Sequence, residues 1–194
     1  MFTGIIEDLG RVRSINKYND YWKISIESKF DEINSGDSIS INGVCLTVTK
    51  FENNILYFDV VFETLEKTNL KFFKDNEIVN LERCLKFNDR IDGHLVQGHI
   101  ESVGEIIEKL NNKGETKIKI SLNNNSLKYC IYKGSIAIDG VSLTIAKLNS
   151  TSIELSIIPY TLQNTTFGIK NVGSLVNIET DMLSKYVERN LNYK

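Results

Sequence analysis

Apolar and polar residues alternate with a period of two along much of this chain. YWKISIES at residues 21–28 and KIKISL at residues 117–122 set an apolar side chain at every second position, the pattern of a strand with one buried face. ILYFDVV at 55–61 and IELSII at 153–158 are β-branched and aromatic runs, strand-like by propensity. Gly10, Gly36, Gly43, Gly104, Gly134 and Gly140 punctuate these runs where turns are needed. ETLEKTNL and its later counterpart predict one short helical turn after the central strands. Roughly six short strands per ninety residues predict a small closed antiparallel barrel, whose closure removes aggregation-prone edges.

The strands come twice. INGVCLTV at 41–48 returns as IDGVSLTI at 138–145, about 97 residues later. At the same offset SISI (38–41) matches SIAI (135–138), FETLEKTNL (62–70) matches PYTLQNTTF (159–167), and VNLE (79–82) matches VNIE (176–179). With a slip of a few residues, TGIIEDLG (3–10) matches QGHIESVG (97–104). Matched blocks in one order mean two homologous halves in tandem rather than a solenoid. The expected units are residues 1–90, residues 91–181 and a tail helix at 182–194, with KFNDRIDGHLV (86–96) as linker. The one proline, Pro159, follows a strand, where its missing donor does little harm. In the tail, Leu183, Val187 and Leu191 form a single apolar stripe. That stripe lies either on the chain's own barrel or against another subunit.

Composition narrows the function. Apolar residues make up 41% and charged residues 25%, as in ordinary globular proteins, and the formal net charge is −2. No stretch concentrates Lys and Arg as a phosphate backbone requires, which argues against nucleic acid. MFTGIIEDLG has neither a basic lead nor a sustained apolar run, so no signal peptide or membrane span is expected there. Three scattered cysteines, Cys45, Cys84 and Cys130, point to free thiols in a reducing cytoplasm. Two histidines make a His/Cys metal site improbable.

MFTGIIE, SISINGVCLTV, GHLVQGHI, GSIAIDGVSLTI and VNIETD together resemble the riboflavin synthase family of the alpha-subunit type, over almost the whole chain and in the family's order. The resemblance implies an all-β fold of two tandem six-stranded Greek-key barrels with a short C-terminal helix. It implies a transferase without cofactor or metal. Such an enzyme moves a four-carbon unit between two molecules of 6,7-dimethyl-8-ribityllumazine, giving riboflavin and 5-amino-6-(D-ribitylamino)uracil. It further implies a homotrimer, and lumazine synthase is a conceivable partner.

By the same resemblance Ser38 and Cys45 act in catalysis, placing or adding a nucleophile at the acceptor. Considered alone, Cys45 reads as a small buried hydrophobe and Ser38 as a strand or turn residue. His99, whose repeat partner is Ile5, suits the proton that must leave the donor's C7 methyl, since imidazole titrates near neutrality. His94 has no such argument and is taken as structural. Lys133, opposite Gly36 in the repeat, and Asp181 are the remaining catalytic candidates. Asp181 also suits the N-cap of the tail helix.

The expected ligand contacts are Gly4, Ile5 and Ile6; Cys45, Leu46 and Thr47; Asp59, Val60, Val61, Phe62, Glu63 and Thr64; and Gly98, His99 and Ile100. In the second half they are Lys133; Ser142, Leu143 and Thr144; and Ser156, Ile157, Ile158, Pro159, Tyr160 and Thr161. The family carries an acid in both walls for the ribityl hydroxyls. Here Glu63 keeps it and Tyr160 replaces it, although a phenol can also bond hydroxyls.

The rival readings are a non-catalytic lumazine antenna of the same fold and a flavin-binding reductase barrel. Antenna proteins lack groups matching Ser38, Cys45 and His99, and no dinucleotide-binding glycine loop is present for the second reading.

Overall fold

The computed structural model describes residues 1–112 and 114–192. Strands β1 (Asp8–Lys17), β2 (Tyr21–Glu27), β3 (Ser38–Ile41), β4 (Val44–Glu52), β5 (Ile55–Val61) and β6 (Ile78–Arg83) close a first barrel in the order β1-β2-β5-β4-β3-β6. Helix α1 (Phe62–Lys67) follows β5 directly. The second barrel repeats this with β7 (Ser102–Asn112), β8 (Glu115–Ser121), β9 (Ser135–Ile138), β10 (Val141–Leu148), β11 (Ser152–Ile157) and β12 (Leu175–Thr180). Its helices are α2 (Asn124–Leu127), after β8, and α3 (Pro159–Asn164), after β11. A last helix, α4 (Met182–Leu191), leaves β12. The final two positions of the expected 182–194 helix lie outside the described residues.

Each barrel has its own core, filled by the inward residues that the alternation predicts. Ile24, Ile26, Leu56 and Phe58 are buried in the first, and Ile118, Ile120, Ile153 and Leu155 in the second. Gly10 is required by close packing: a Cβ there would sit 2.5 Å from Leu81 Cδ1.

The duplicated octet forms the seam between the barrels. Asn42-Gly43 and Asp139-Gly140 turn β3 into β4 and β9 into β10 with positive φ throughout, the conformation of a two-residue hairpin. The two turns touch, since a Cβ on Gly43 would lie 2.6 Å from the Gly140 nitrogen. Asn80 Nδ2 donates to the Asp139 carbonyl at 2.9 Å, and Asn177 Nδ2 donates to the Asn42 carbonyl at 2.8 Å. This pseudo-symmetric exchange satisfies buried backbone groups on both sides. The halves differ here too. Where the first carries Asn42, the second carries fully buried Asp139, 2.8 Å from Lys170 Nζ.

Candidate functional site

In each barrel one pair of neighbouring strands diverges. Strand β4 pairs with β3 along residues 44–47, but its register with β5 begins only at Val48↔Phe58 and shifts again before Lys50. Beyond Phe58, β5 continues against β2 alone, through Lys23↔Asp59, Trp22↔Val60 and Tyr21↔Val61. A wedge therefore opens between residues 45–47 and residues 59–61, with α1 at its rim. The second barrel does the same. Strand β10 pairs with β9 along residues 141–144 and meets β11 only from Ile145↔Leu155, while Ser156 and Ile157 pair with β8. The structure thus brings together, across one slot per barrel, the octet and wall segments that the sequence singles out. Leu46, Val60 and Ile157 are the exception within those segments. Their side chains are buried in the barrel cores, so only their main chain can meet a ligand.

The loops that finish the slots are exchanged between halves. Phe2 bridges Val96 in antiparallel fashion, and from this crossing each loop reaches the opposite barrel. The Gly98 carbonyl accepts from Cys45 N at 2.9 Å, and the Gly4 carbonyl accepts from Ser142 N at 2.8 Å. Both glycines have positive φ, and a Cβ on Gly98 would come within 2.5 Å of Cys45 Cβ. Ile100 packs against the first core and Ile6 against the second. Hence residues 98–100 complete the first slot, and residues 4–6 the second.

The first slot gathers Ser38 and Cys45, and the loop that carries His99 closes its edge. Because Ile39, Leu46 and Val48 fill the core, Ser38 and Cys45 face outward on adjacent strands. Burial pushes the Cys45 thiol above its usual range, and its hydrogen bond with Ser38 offsets part of that rise. The sulfur is therefore a neutral thiol near pH 7, which makes it a polar contact and a poor nucleophile. Ser38 and Ile5 also line a cavity of about 680 Å³, running under the linker past Arg83 and Asp89. The His99 side chain is exposed at the loop tip. On the rim, Glu63 pairs with Lys67 at 2.7 Å, one helical turn away, and that partner lowers its carboxyl. Asp59 lies 3.7 Å from Lys23, and the Thr64 carbonyl accepts from Thr68 Oγ1.

The second slot is built alike and furnished differently. Lys133 is exposed and adopts positive φ, as does Gly36 at the equivalent bend, and their N–H groups donate to Ile145 and Val48 respectively. Leu143 packs on the core, whereas Thr144 is exposed. Ser156 Oγ donates to Glu115, on the outer face. Ile158 precedes α3, Pro159 opens it, and the Thr161 carbonyl accepts from Thr165 Oγ1. Tyr160, on α3, is 72% exposed. Asp181 caps α4 by accepting from Leu183 N at 3.0 Å.

Sequence reasoning took His94 as structural and did not foresee its contact with the second slot. The linker folds back so that His94 Nδ1 lies 2.7 Å from Ser142 Oγ, while Gly93 approaches Thr3 too closely for any side chain. Burial lowers this imidazole's pKa, and the Asp181 charge opposes the change. A polar linker gives no local sign of such a contact. Among the described residues no group of three or more His, Cys, Asp or Glu could hold a metal ion.

Comparison with known proteins agrees with the duplicated slots. Residues 3–84 and 97–181 each match the Lumazine binding domain family. The chain is 43% identical to the riboflavin synthase of Actinobacillus pleuropneumoniae over 191 residues, covering 97% of this chain and 89% of that one. It is 39% identical to that of Bacillus subtilis (strain 168) over 194 residues, covering 99% and 90%. To that of Escherichia coli (strain K12) it is 40% identical over 185 residues, covering 93% and 87%. Among solved structures, LumP complexed with riboflavin superposes with a TM-score of 0.86 at 24% identity, covering 93% of this chain and 100% of LumP. LumP with 6,7-dimethyl-8-(1'-D-ribityl) lumazine gives 0.83 at the same identity, covering 93% and 99%. These last two support the fold alone.

Proposed function

The chain belongs to the riboflavin synthase family, built of paired lumazine-binding domains, and on that premise we propose how its two slots divide the reaction. It makes riboflavin from two molecules of 6,7-dimethyl-8-ribityllumazine, one giving a four-carbon unit and leaving as 5-amino-6-(D-ribitylamino)uracil. Donor and acceptor are the same compound, so the exchange balances without an outside oxidant or reductant. The observation that carries the reading is the pair of equivalent slots with unequal furniture. Holding two reactants in register can offset about 7–11 kcal/mol of entropic cost. Unequal groups then give identical molecules different fates.

At the first slot Ser38 and the Cys45 thiol polarise the acceptor, and Thr47 with the adjoining main chain reads its pyrimidine edge. His99, on its exposed loop, takes the proton from the donor's C7 methyl. These three share one slot, so the donor must approach it from a facing second barrel. In that barrel Ser142, Lys133 and Asp181 position the donor, and Glu63 and Tyr160 bind the two ribityl chains. The working units are residues 1–90, 91–181 and the tail helix.

We place the facing barrel on a neighbouring subunit of a homotrimer. In support, Leu183, Val187 and Leu191 remain 62%, 58% and 63% exposed on α4, along an open groove shared with Tyr129 and Ile131. Free cysteines fit a reducing cytoplasm, and among the described residues no helix is long and apolar enough to cross a membrane. Lumazine synthase is the partner that the substrate would call for.

Incubating the protein with the lumazine alone tests the function. Riboflavin should accumulate over many turnovers. An antenna protein would instead hold one lumazine and turn none over.

A further inference from the structure

Each exchanged loop is pinned by one buried carboxylate. Glu179, at the end of β12, accepts from the backbone N–H groups of Gln97 (2.7 Å), Gly98 (2.8 Å) and His99 (3.0 Å). Glu82, at the end of β6, accepts from Thr3 N at 2.6 Å, Thr3 Oγ1 at 2.9 Å and Gly4 N at 3.1 Å. Their exposures are only 2% and 3%.

An isolated buried carboxylate is costly, and these two are tolerated because backbone donors surround them. Burial raises both acids, and the same N–H groups pull them back. The loop geometry needs a group that only accepts. A glutamine would turn one of its two heads into an NH₂ facing N–H donors, and at least one bond would be lost.

We propose that Glu179 and Glu82 are positioning residues that act across the molecule. Glu179, in the second barrel, sets His99 over the slot of the first. Glu82, in the first barrel, sets residues 4–6 over the slot of the second. The catalytic consequence rests on the role given to His99 above, whereas the crossed geometry stands without it. A local scaffolding role would disturb each glutamate's own barrel. The crossed role disturbs the other.

The chain's two histidines make this testable, because His99 belongs to the first slot and His94, bonded to Ser142, to the second. The full-length chain is labelled with ¹⁵N-histidine and its imidazole signals are recorded. Glu179→Gln should shift the His99 ring signals and leave those of His94 in place. Glu82→Gln should shift His94 and spare His99. In turnover assays Glu179→Gln should lower kcat by about ten- to a hundredfold, the scale of a roughly 1 Å misplacement, with a smaller change in KM. If Glu179→Gln does not fold, Gly98→Ala reports on the same loop and should displace His99 alone. The proposal is overturned if folded Glu179→Gln or Gly98→Ala leaves His99 unmoved, if folded Glu82→Gln leaves His94 unmoved, or if any of them moves both histidines equally. Failure of the wild-type chain to make riboflavin would instead sink the function and leave this spectral test intact.

Discussion

The first and second slots share every strand, and Ser38, Thr47 and Thr64 recur as Ser135, Thr144 and Thr161, but other polar positions differ. Where the first has Cys45, Gly36, Glu63 and the His99 loop, the second has Ser142, Lys133, Tyr160 and the Ile5 loop. Backbone architecture is thus kept where two like ligands must be bound, and chemistry is varied where they must behave differently. The seam follows the same rule, with neutral Asn42 on one side and the Asp139–Lys170 pair on the other. Duplication supplied the geometry, and substitution at a few outward positions made the two slots unequal.

The sharpest way to break the comparison is at the loop tips. His99→Ala should reduce kcat by about 10²–10⁴-fold, the usual worth of an acid–base group. The equivalent change Ile5→Ala should cost far less in kcat. Steady-state rates at saturating lumazine decide it, and equal losses would remove the division of labour.

The seam offers the next largest effect. Lys170→Met leaves the buried Asp139 carboxylate without its cation, and should destabilise the fold by about 3–5 kcal/mol in denaturant melts. Adding Asp139→Asn copies the first half's Asn42 and should recover much of that loss. A double variant as unstable as the single one would mean that the pair is not what distinguishes the seams.

The tail tests whether the two slots meet between subunits. A chain ending at Ser184 loses Val187 and Leu191, each worth on the order of 1.5–3 kcal/mol when covered. It should keep both barrels and bind ligand, yet sediment mainly as monomer and lose most activity. A fully active trimeric truncation would place the contact on the barrels alone.

The smallest effect concerns the octet's cysteine. A protonated Cys45 predicts that Cys45→Ser costs less than about tenfold in rate. Ser142→Ala should cost less still. Iodoacetamide labelling of Cys45 should rise only above the ordinary thiol midpoint of about 8.5, because burial disfavours the thiolate. Fast labelling at neutral pH would restore the nucleophile.

Much of this molecule could be read from the residues in order. Period-two alternation marked the strands, glycines such as Gly43 and Gly140 marked the turns, and the repeated octet announced two equivalent barrels. Even the inward aim of Val60 and Ile157 follows from alternation within DVV and SII. These features are legible because they depend on neighbours a few positions apart.

The crossing of the loops was not legible. TGII and QGHI carry nearly the same local signals, and either barrel edge could accept either segment. Tertiary structure decides the matter through contacts far apart in sequence, such as Thr3 with Glu82 and His99 with Glu179. The His94–Ser142 contact forms in the same way, once the linker is drawn back by the Phe2–Val96 bridge. Local patterning chose the barrels, and only the closing of long loops around buried carboxylates fixed which residues meet in each slot.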